Sequence, residues 1–399
     1  AFIERNAPRR AVVVGGGFIG LEMAENLARQ GIETAIIERM EQVMAPLDYD
    51  MACSVHAYLR EQGVGLVLGE SVAGFTPDES GLRVGLESGG SLPADLVILA
   101  IGVQPDTALA KDAGLKLGLK GSIAVNDRMQ TSDPDIYAVG DAVESTHFVS
   151  GEKTLAALAG PANKQGRIAA DHICGRESRY SGVQGSAVLK LFGMTVAATG
   201  LNEAAARAAG IAFDKTVTFS ASHATYYPGA SNMTVKTLFS PETGRLLGAQ
   251  IVGFSGVDKR IDVLAAAVRM GMTGEALTEL ELSYAPPYSS AKDPVNMAGY
   301  VIENIRSGLV RQYHWHDVAD LSRDGSVILL DTRTPAEYQN GHIEGAINLP
   351  LDELRERLHE LERGKPVYVN CHSGLRSYIA CRILMQNGFE CYNLSGGYR

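Results

Sequence analysis

Residues 367–377 read VYVNCHSGLRS, a cysteine set directly after an apolar run and ahead of small residues that lead into a helical pattern. At such a junction successive backbone N–H groups and the positive end of the helix lower the pKa of a thiol and can hold an anion. Cys371 is therefore a candidate nucleophile; Ser373 and Gly374 let the loop curl around its sulfur, and Arg376 adds positive charge. A loop that encircles a tetrahedral phosphate needs Cys-x5-Arg. Here the spacing is Cys-x4-Arg, a tighter ring that suits a single sulfur atom. A second constellation lies near the start. In AVVVGGGFIGLEMAENLARQGIETAIIER an apolar run meets glycines, then a helical pattern, then another apolar run, which predicts a strand-helix-strand unit. Gly15, Gly17 and Gly20 stand at G-x-G-x-x-G spacing: the first permits a tight turn, the second lets a pyrophosphate approach the backbone, and the third allows close helix packing. Glu38 closes the second strand, where a carboxylate receives ribose hydroxyls and repels a 2'-phosphate, so NADH is favoured over NADPH. Arg39 beside it works against that preference.

The elements that must position these groups need several domains. A chain of 399 residues can bury several cores. Its formal charge of −10 leaves no surplus of basic surface for nucleic acid or an anionic membrane, which favours small-molecule partners. No stretch reaches the roughly 18 apolar residues that span a bilayer. The opening AFIERNAPRR is expected to run straight into a strand, with no apolar signal region. Cys53, Cys174, Cys371, Cys381 and Cys391 lack paired spacing, which suits a reducing cytoplasm and argues against a disulfide framework or a metal site. Cys53 on an amphipathic helix and Cys174 at a helix end read as small packing or surface residues.

Downstream, LRVGLESGGSLPADLVILAIGVQP predicts an alternating strand, a Gly-Gly turn and a second apolar strand, with Gly102 in the closing AIGVQP. YAVGDA, residues 137–142, reads as one half of a flavin site, with Asp141 at a strand end where a ribityl hydroxyl could be held. In that order, GGGFIGLEMAE, AIGVQP and TSDPDIYAVGDA resemble the two-dinucleotide-binding flavoprotein family that includes the pyridine nucleotide-disulfide reductases. The resemblance implies a nicotinamide domain that Gly102 helps to close, inserted into an FAD domain whose ADP half lies on another G-x-G-x-x-G near the chain start. Only one such loop is present here. The chain thus reads as a piece lacking roughly the first hundred or more residues of its family's length, judged by the size of one nucleotide domain. The competing reading is a short protein that binds no flavin.

Residues 184–306 alternate strands and helices as an α+β module and resemble the dimerisation domain of these reductases, which implies a homodimer. Glutathione-reductase-like members carry a His-Pro element there, but LSYAPPYSSAKDPVNMAGYV has no histidine. That replacement resembles the coenzyme A-disulfide reductases and the related NADH oxidases and persulfide reductases, which use one catalytic cysteine in the flavin domain. The resemblance implies that Tyr226 and Tyr284 reach across the dimer to the partner's sulfur site. A phenol, with its pKa near 10, is a donor able to stabilise or protonate a departing thiolate. Without that context both tyrosines read equally well as packing aromatics.

Residues 311–399 read as a small parallel α/β domain with strands at VILLD, AINLP, VYVN and CYNL. With LLDTRTPAEYQNGHIEGAINLP ahead of the cysteine loop, this segment resembles a rhodanese, which implies that Cys371 carries a persulfide. Asp331, Arg333 and Glu337 are expected to brace the loop, His342 to be structural, and Cys381 and Cys391 to be buried without a role. The expected fold is α/β: a Rossmann-like NAD-binding domain at 1–122, the C-terminal part of an FAD-binding domain at 123–180, an α+β dimerisation domain at 184–306 and a rhodanese domain at 311–399. The fusion resembles those of coenzyme A-disulfide reductases with rhodanese. It implies an FAD-dependent, NADH- or NADPH-using reductase of coenzyme A disulfide or persulfide, with low-molecular-weight thiols as further partners. Two alternatives stand beside it: an NADH oxidase or peroxidase of the same family, and a non-reductase NAD-binding sulfur carrier.

Overall fold

The computed structural model describes residues 2–78 and 81–398. They form two compact units, Ala1–Ile211 and Ala212–Arg399. In the first, a short helix α1 (Phe2–Asn6) precedes the opening strand, so the first residues do not run straight into it as the sequence suggests. The Asn6 amide closes that turn by donating to the Phe2 carbonyl at 2.9 Å. Then come β1 (Arg10–Val14), α2 (Phe18–Arg29), β2 (Glu33–Glu38), α3 (Tyr49–Glu61) and β3 (Gly65–Leu68). An antiparallel sheet of β4 (Val72–Asp78), β5 (Gly81–Leu86) and β6 (Ser91–Ala94) follows before β7 (Leu96–Leu99) returns to the main sheet.

That main sheet has the order β3-β2-β1-β7 and is parallel throughout, with Val12 opposite both Ala35 and Val97. Its two central strands, β1 and β2, are runs of β-branched and aliphatic residues in which Val12, Val13, Ile36 and Ile37 are all buried, whereas the outer strands β3 and β7 are only partly covered. Along α2, Leu21, Ala24 and Leu27 recur at helical spacing and are buried too. The rest of the unit comprises α4 (Ala108–Asp112), the short hairpin β8 (Ser145–Thr146) and β9 (Lys153–Thr154), α5 (Ala159–Ile173), the hairpin β10 (Ala187–Leu191) and β11 (Met194–Gly200), and α6 (Glu203–Ala208).

The second unit opens with antiparallel strands β12 (Asp214–Ala221), β13 (Asn232–Phe239) and β14 (Leu246–Gly253), followed by helices α7 (Val257–Arg269) and α8 (Pro294–Arg306). Helix α8 starts where it does because Asp293 caps it, accepting from the Val295 N–H, with proline at the first helical position. The remaining elements are β15 (Gln312–Tyr313), β16 (Ile328–Asp331), α9 (Pro335–Gln339), β17 (Ile347–Asn348), α10 (Leu354–Arg357), β18 (Val367–Asn370), α11 (Leu375–Gln386) and β19 (Cys391–Leu394). They build a parallel sheet of order β15-β19-β18-β16-β17. Leu330, Val369, Ala380, Leu384 and the two cysteines Cys381 and Cys391 share its core. Four of these strands lie where the sequence places them; β15, two residues long, carries no periodic signal to read.

Candidate functional site

The glycine turn between β1 and α2 is built as its spacing demands. Gly15 has φ 109°, and a Cβ there would lie 2.3 Å from the Ala100 carbonyl oxygen just beyond β7. A Cβ on Gly20 would come within 1.9 Å of the Gly15 oxygen, so the third glycine lets the helix close on the turn. Around Gly17 a Cβ would meet nothing within 4 Å, and no side chain caps the start of α2. That leaves open space against uncommitted N–H groups at a positive helix end, which fits a pyrophosphate. Glu38 is the last residue of β2; its carboxylate accepts from the Gly16 N–H at 2.6 Å and the Met40 N–H at 2.9 Å. It is thereby fixed beside the turn, where a dinucleotide's ribose would lie. Gly102, at φ 103°, is exposed with open space around it.

One support of this turn escaped sequence reading. A Cβ on Gly16 would touch Val43, and the Val43 N–H donates to His56 Nε2 at 3.1 Å. Burial, with Arg60 nearby, pushes the His56 pKa down to about 4, which keeps the ring neutral and able to accept.

The flavin-type residues give a different picture from the one expected. Residues 137–139 form no strand; only an isolated bridge joins Tyr137 to Gln130, and Asp141 lies in a single 3-10 turn, Gly140–Ala142. Gly140, at φ 84°, donates its N–H to the buried Gln165 at 2.7 Å, which fixes the turn. The Asp141 side chain is exposed, free to accept a hydroxyl. These residues fit one end of an FAD and not a complete cradle, since the sequence contains a single G-x-G-x-x-G loop.

In the second unit the structure brings Tyr226 and Tyr284 together, their phenol oxygens 3.1 Å apart. Both are exposed, at 76 % and 49 %, so neither is a packing residue within this chain. The hydrogen bond to Tyr226 raises the Tyr284 pKa above its ordinary value, so Tyr284 stays protonated as a donor. His223 braces the loop that carries Tyr226, its ring contacting Ser222 Oγ at 3.1 Å and the Pro228 carbonyl at 3.2 Å. Tyr284 lines a cavity of about 540 Å³ together with Ser222, Ser255, Lys259, Arg260 and Tyr288, a volume in the range of small-ligand pockets. Beneath it the buried Arg260 pairs with Asp293 at 2.9 Å. Burial pushes the Asp293 pKa up, but hydrogen bonds from Arg260 and Ser289 outweigh it and hold the carboxylate ionised.

Cys371 stands at the end of β18, fully buried. Its Sγ accepts from the Gly374 N–H at 3.1 Å and the Ser377 hydroxyl at 3.2 Å. Gly374, at φ 92°, begins α11 without a side-chain cap. Ser377 carries no weight in the sequence reading; it lies in the first turn of α11, where a short side chain leaning back toward the N-terminus reaches the sulfur. Arg376 behaves differently from the bare positive charge its spacing suggests. Its guanidinium donates to both oxygens of Glu337, at 2.8 and 2.6 Å, and these bonds hold the Glu337 pKa at about 2. Arg333 and the buried Asp331 pair at 2.7 Å, and Arg333 also donates to the Gly341 carbonyl at 2.7 Å. His342 stacks on Tyr338 with ring centroids 3.8 Å apart.

A nucleotide turn on a parallel sheet, joined in one chain to a thiol seated in a six-residue cysteine-to-arginine ring, defines a pyridine-nucleotide oxidoreductase carrying a sulfurtransferase-type module. Family models sharpen this class. Pyridine nucleotide-disulphide oxidoreductase matches residues 1–166, the dimerisation domain of the same family matches 186–294, and a rhodanese-like domain matches 314–399. The chain belongs to the pyridine nucleotide-disulphide oxidoreductase family. It is 38 % identical to the NADH oxidase of Methanocaldococcus jannaschii over 298 residues, 74 % of this chain and 66 % of that protein. It is 35 % identical to the NAD(P)H coenzyme A polysulfide/persulfide reductase of Pyrococcus horikoshii over 303 residues, 76 % of this chain and 67 % of that protein. The crystal structure of reduced Bacillus anthracis CoADR-RHD superposes with a TM-score of 0.96 at 47 % identity, covering 100 % of this chain and 71 % of that one. The chain thus spans about two thirds of the length of these curated relatives.

Proposed function

We propose that this chain serves NAD(P)H-dependent, FAD-using reduction of coenzyme A disulfide or persulfide, with NADH preferred, and that its C-terminal module transfers sulfane sulfur. The observation that carries this reading is the Cys371 sulfur, held by Gly374 and Ser377 in a ring sized for one sulfur atom, in the same chain as a dinucleotide turn. Similarity to CoADR-RHD along the whole chain supports it, as does the named activity of the Pyrococcus relative. Bound NADH and FAD supply an electron pair for sulfur reduction. The chain's own residues bind, orient and protonate. Gly15, Gly17 and Gly20 seat the pyrophosphate, Glu38 takes the ribose hydroxyls, and Asp141 holds one end of the flavin. Tyr226 and Tyr284 form a donor pair beside the cavity, suited to giving a hydrogen bond or proton to a departing thiolate of the substrate. A dimer would bring this pair to a partner's sulfur site, and the matching dimerisation domain supports a homodimer. Free thiols at Cys53, Cys174 and Cys371 favour a reducing compartment such as the cytoplasm. Among the described residues no helix is long and apolar enough to cross a membrane.

Sulfur transfer balances without outside redox chemistry. The Cys371 thiolate attacks the outer sulfur of thiosulfate, the sulfur-sulfur bond breaks, sulfite leaves with the bonding pair, and Cys371 persulfide remains. An acceptor thiol then takes the sulfur. Cys371→Ser is expected to abolish thiosulfate-to-thiol transfer; unchanged turnover would overturn the sulfur-carrier reading. NADH is expected to bind more tightly than NADPH in fluorescence titration, and the reverse order would overturn the assignment of Glu38. A second reading, an NADH oxidase, is favoured by the Methanocaldococcus relative. Measured with the FAD cradle complete, it predicts oxygen consumption with NADH that is indifferent to added persulfide, whereas the proposed reaction consumes persulfide and releases sulfide.

A further inference from the structure

The sulfur loop is held by residues outside it. After β19 the chain turns through Gly396 and Gly397, both in the left-handed region at φ 85° and 73°. Gly397 lies against the sulfur loop: a Cβ there would fall 2.5 Å from the Ser373 nitrogen and 2.6 Å from the His372 carbonyl carbon. The next N–H, of Tyr398, donates to the Cys371 carbonyl at 2.8 Å. The Tyr398 ring covers the Arg333 guanidinium at 4.2 Å, and Arg333 is locked to buried Asp331. On its other side the turn faces β12. A Cβ on Gly396 would meet Val217 Cγ1 at 3.5 Å, and Val217 sits in the middle of that strand, opposite Lys236 of β13. Gln312 of β15 ties the same strand down, donating to Asp214 Oδ1 at 3.0 Å and to the Lys215 carbonyl at 2.6 Å.

We infer that the Gly396–Tyr398 turn positions Cys371, and that Val217, which belongs to the antiparallel sheet and not to the sulfur module, is a positioning residue for sulfur transfer. The inference rests on the sulfur-carrier reading of Cys371. Its physical basis is the carbonyl bond from Tyr398, which fixes the plane of the Cys371–His372 peptide and with it the direction of the loop N–H groups that follow. Two adjacent glycines have too much conformational freedom to hold this geometry alone, so the turn depends on what it leans against. It faces the Val217 side chain, one methyl group's breadth away, on one side and abuts the sulfur loop on the other. Small misplacements of a nucleophile are costly: about 1 Å is worth roughly a hundredfold in rate.

The test uses the full chain with Val217→Ala, which empties the seat, and Val217→Ile, which keeps it. Two quantities are read: kcat/KM for thiosulfate-to-thiol transfer, and the pH dependence of iodoacetamide alkylation at Cys371, followed on its own peptide by mass spectrometry. For Val217→Ala, kcat/KM is expected to fall roughly three- to tenfold and the alkylation midpoint to move to higher pH, with NADH binding unchanged and Val217→Ile close to wild type. Gly397→Ala, which drives a methyl group into the loop, is expected to lose more. Wild-type rate and pH profile in Val217→Ala overturn the inference while leaving the sulfur-carrier reading intact. A wild-type protein that transfers no sulfur overturns that reading and the inference with it.

Discussion

Gly17 and Gly20 stand three positions apart in one motif and tolerate a methyl group in opposite ways. Gly17 has ordinary φ and open space around it; Gly20 would drive a Cβ to 1.9 Å from a backbone oxygen. Gly17→Ala should therefore leave the melting temperature nearly unchanged, within about 0.5 kcal/mol, while weakening NADH binding because the methyl group occupies the phosphate's approach. Gly20→Ala should destabilise the first unit by about 1–3 kcal/mol, as overpacking does, and lose NADH binding through the collapsed turn. Thermal unfolding paired with NADH titration separates the two. A Gly17→Ala protein that unfolds early but binds NADH normally would remove the ligand-facing role assigned to that residue. These positions are legible in the sequence because each answers a requirement that only one residue type satisfies. Cys371 is legible for the same reason, its thiol having no substitute. Ser377 and His56 are not, because a serine or histidine is common in many settings and only the fold shows which atom it touches.

Elements reach this precision by leaning on one another, and the loop between β2 and α3 shows how. Its Val43 N–H is held by His56 from α3, and the same valine packs against Gly16 of the nucleotide turn. The His56 pKa in the fold, about 4, lies below its ordinary 6.5. The fold therefore favours the neutral ring. Its stabilising contribution is complete above pH 6.5 and is lost as the pH falls from 6.5 toward 4, where a proton taken up on Nε2 removes the acceptor of the Val43 N–H. Urea unfolding of the first unit should show stability declining across that window, and NADH affinity should decline with it as the turn loosens. His56→Gln retains an acceptor without the titration, so that part of the pH dependence should vanish; an unaltered profile in this variant would assign the loss to other groups. At this scale, the sequence reveals long periodic elements such as α2, β1 and β18. It conceals α1 and β15, held by local turn bonds or by a neighbouring strand. Asp141 is expected at a strand end for a related reason: YAVGDA is apolar enough to pair, yet its pairing stops at isolated bridges, Tyr137 with Gln130 on one side and the Ala142 carbonyl accepting from Ile123 on the other.

Across the whole molecule the order of modules is legible because three different chemistries mark it in sequence: the glycine turn, the tyrosine segment and the cysteine ring. The contacts that join elements within each unit are not, since Val217 and Gly396 lie far apart in the chain and neither is unusual for its type. The same distribution makes a prediction about independence. Every residue assigned to the dinucleotide lies in Ala1–Ile211, whereas the tyrosine pair and the Cys371 loop lie in Ala212–Arg399. A ligand stabilises what it binds by mass action, by about 2.7 kcal/mol at a hundred times its Kd. NADH should therefore slow amide exchange in β1, α2, β2 and the segment around Gly102, leaving the peptides of β18, α11 and β19 unaffected. Conversely, in a chain whose exposed thiols are removed by Cys53→Ser and Cys174→Ser, alkylation of Cys371 should leave the Kd for NADH unchanged. Exchange protection that spreads from the glycine turn into α11, or an NADH affinity that shifts severalfold on alkylation of Cys371, would show the two chemistries to be energetically coupled. Their coupling free energy would then be the quantity to measure, by the reciprocal effect of thiosulfate on NADH binding.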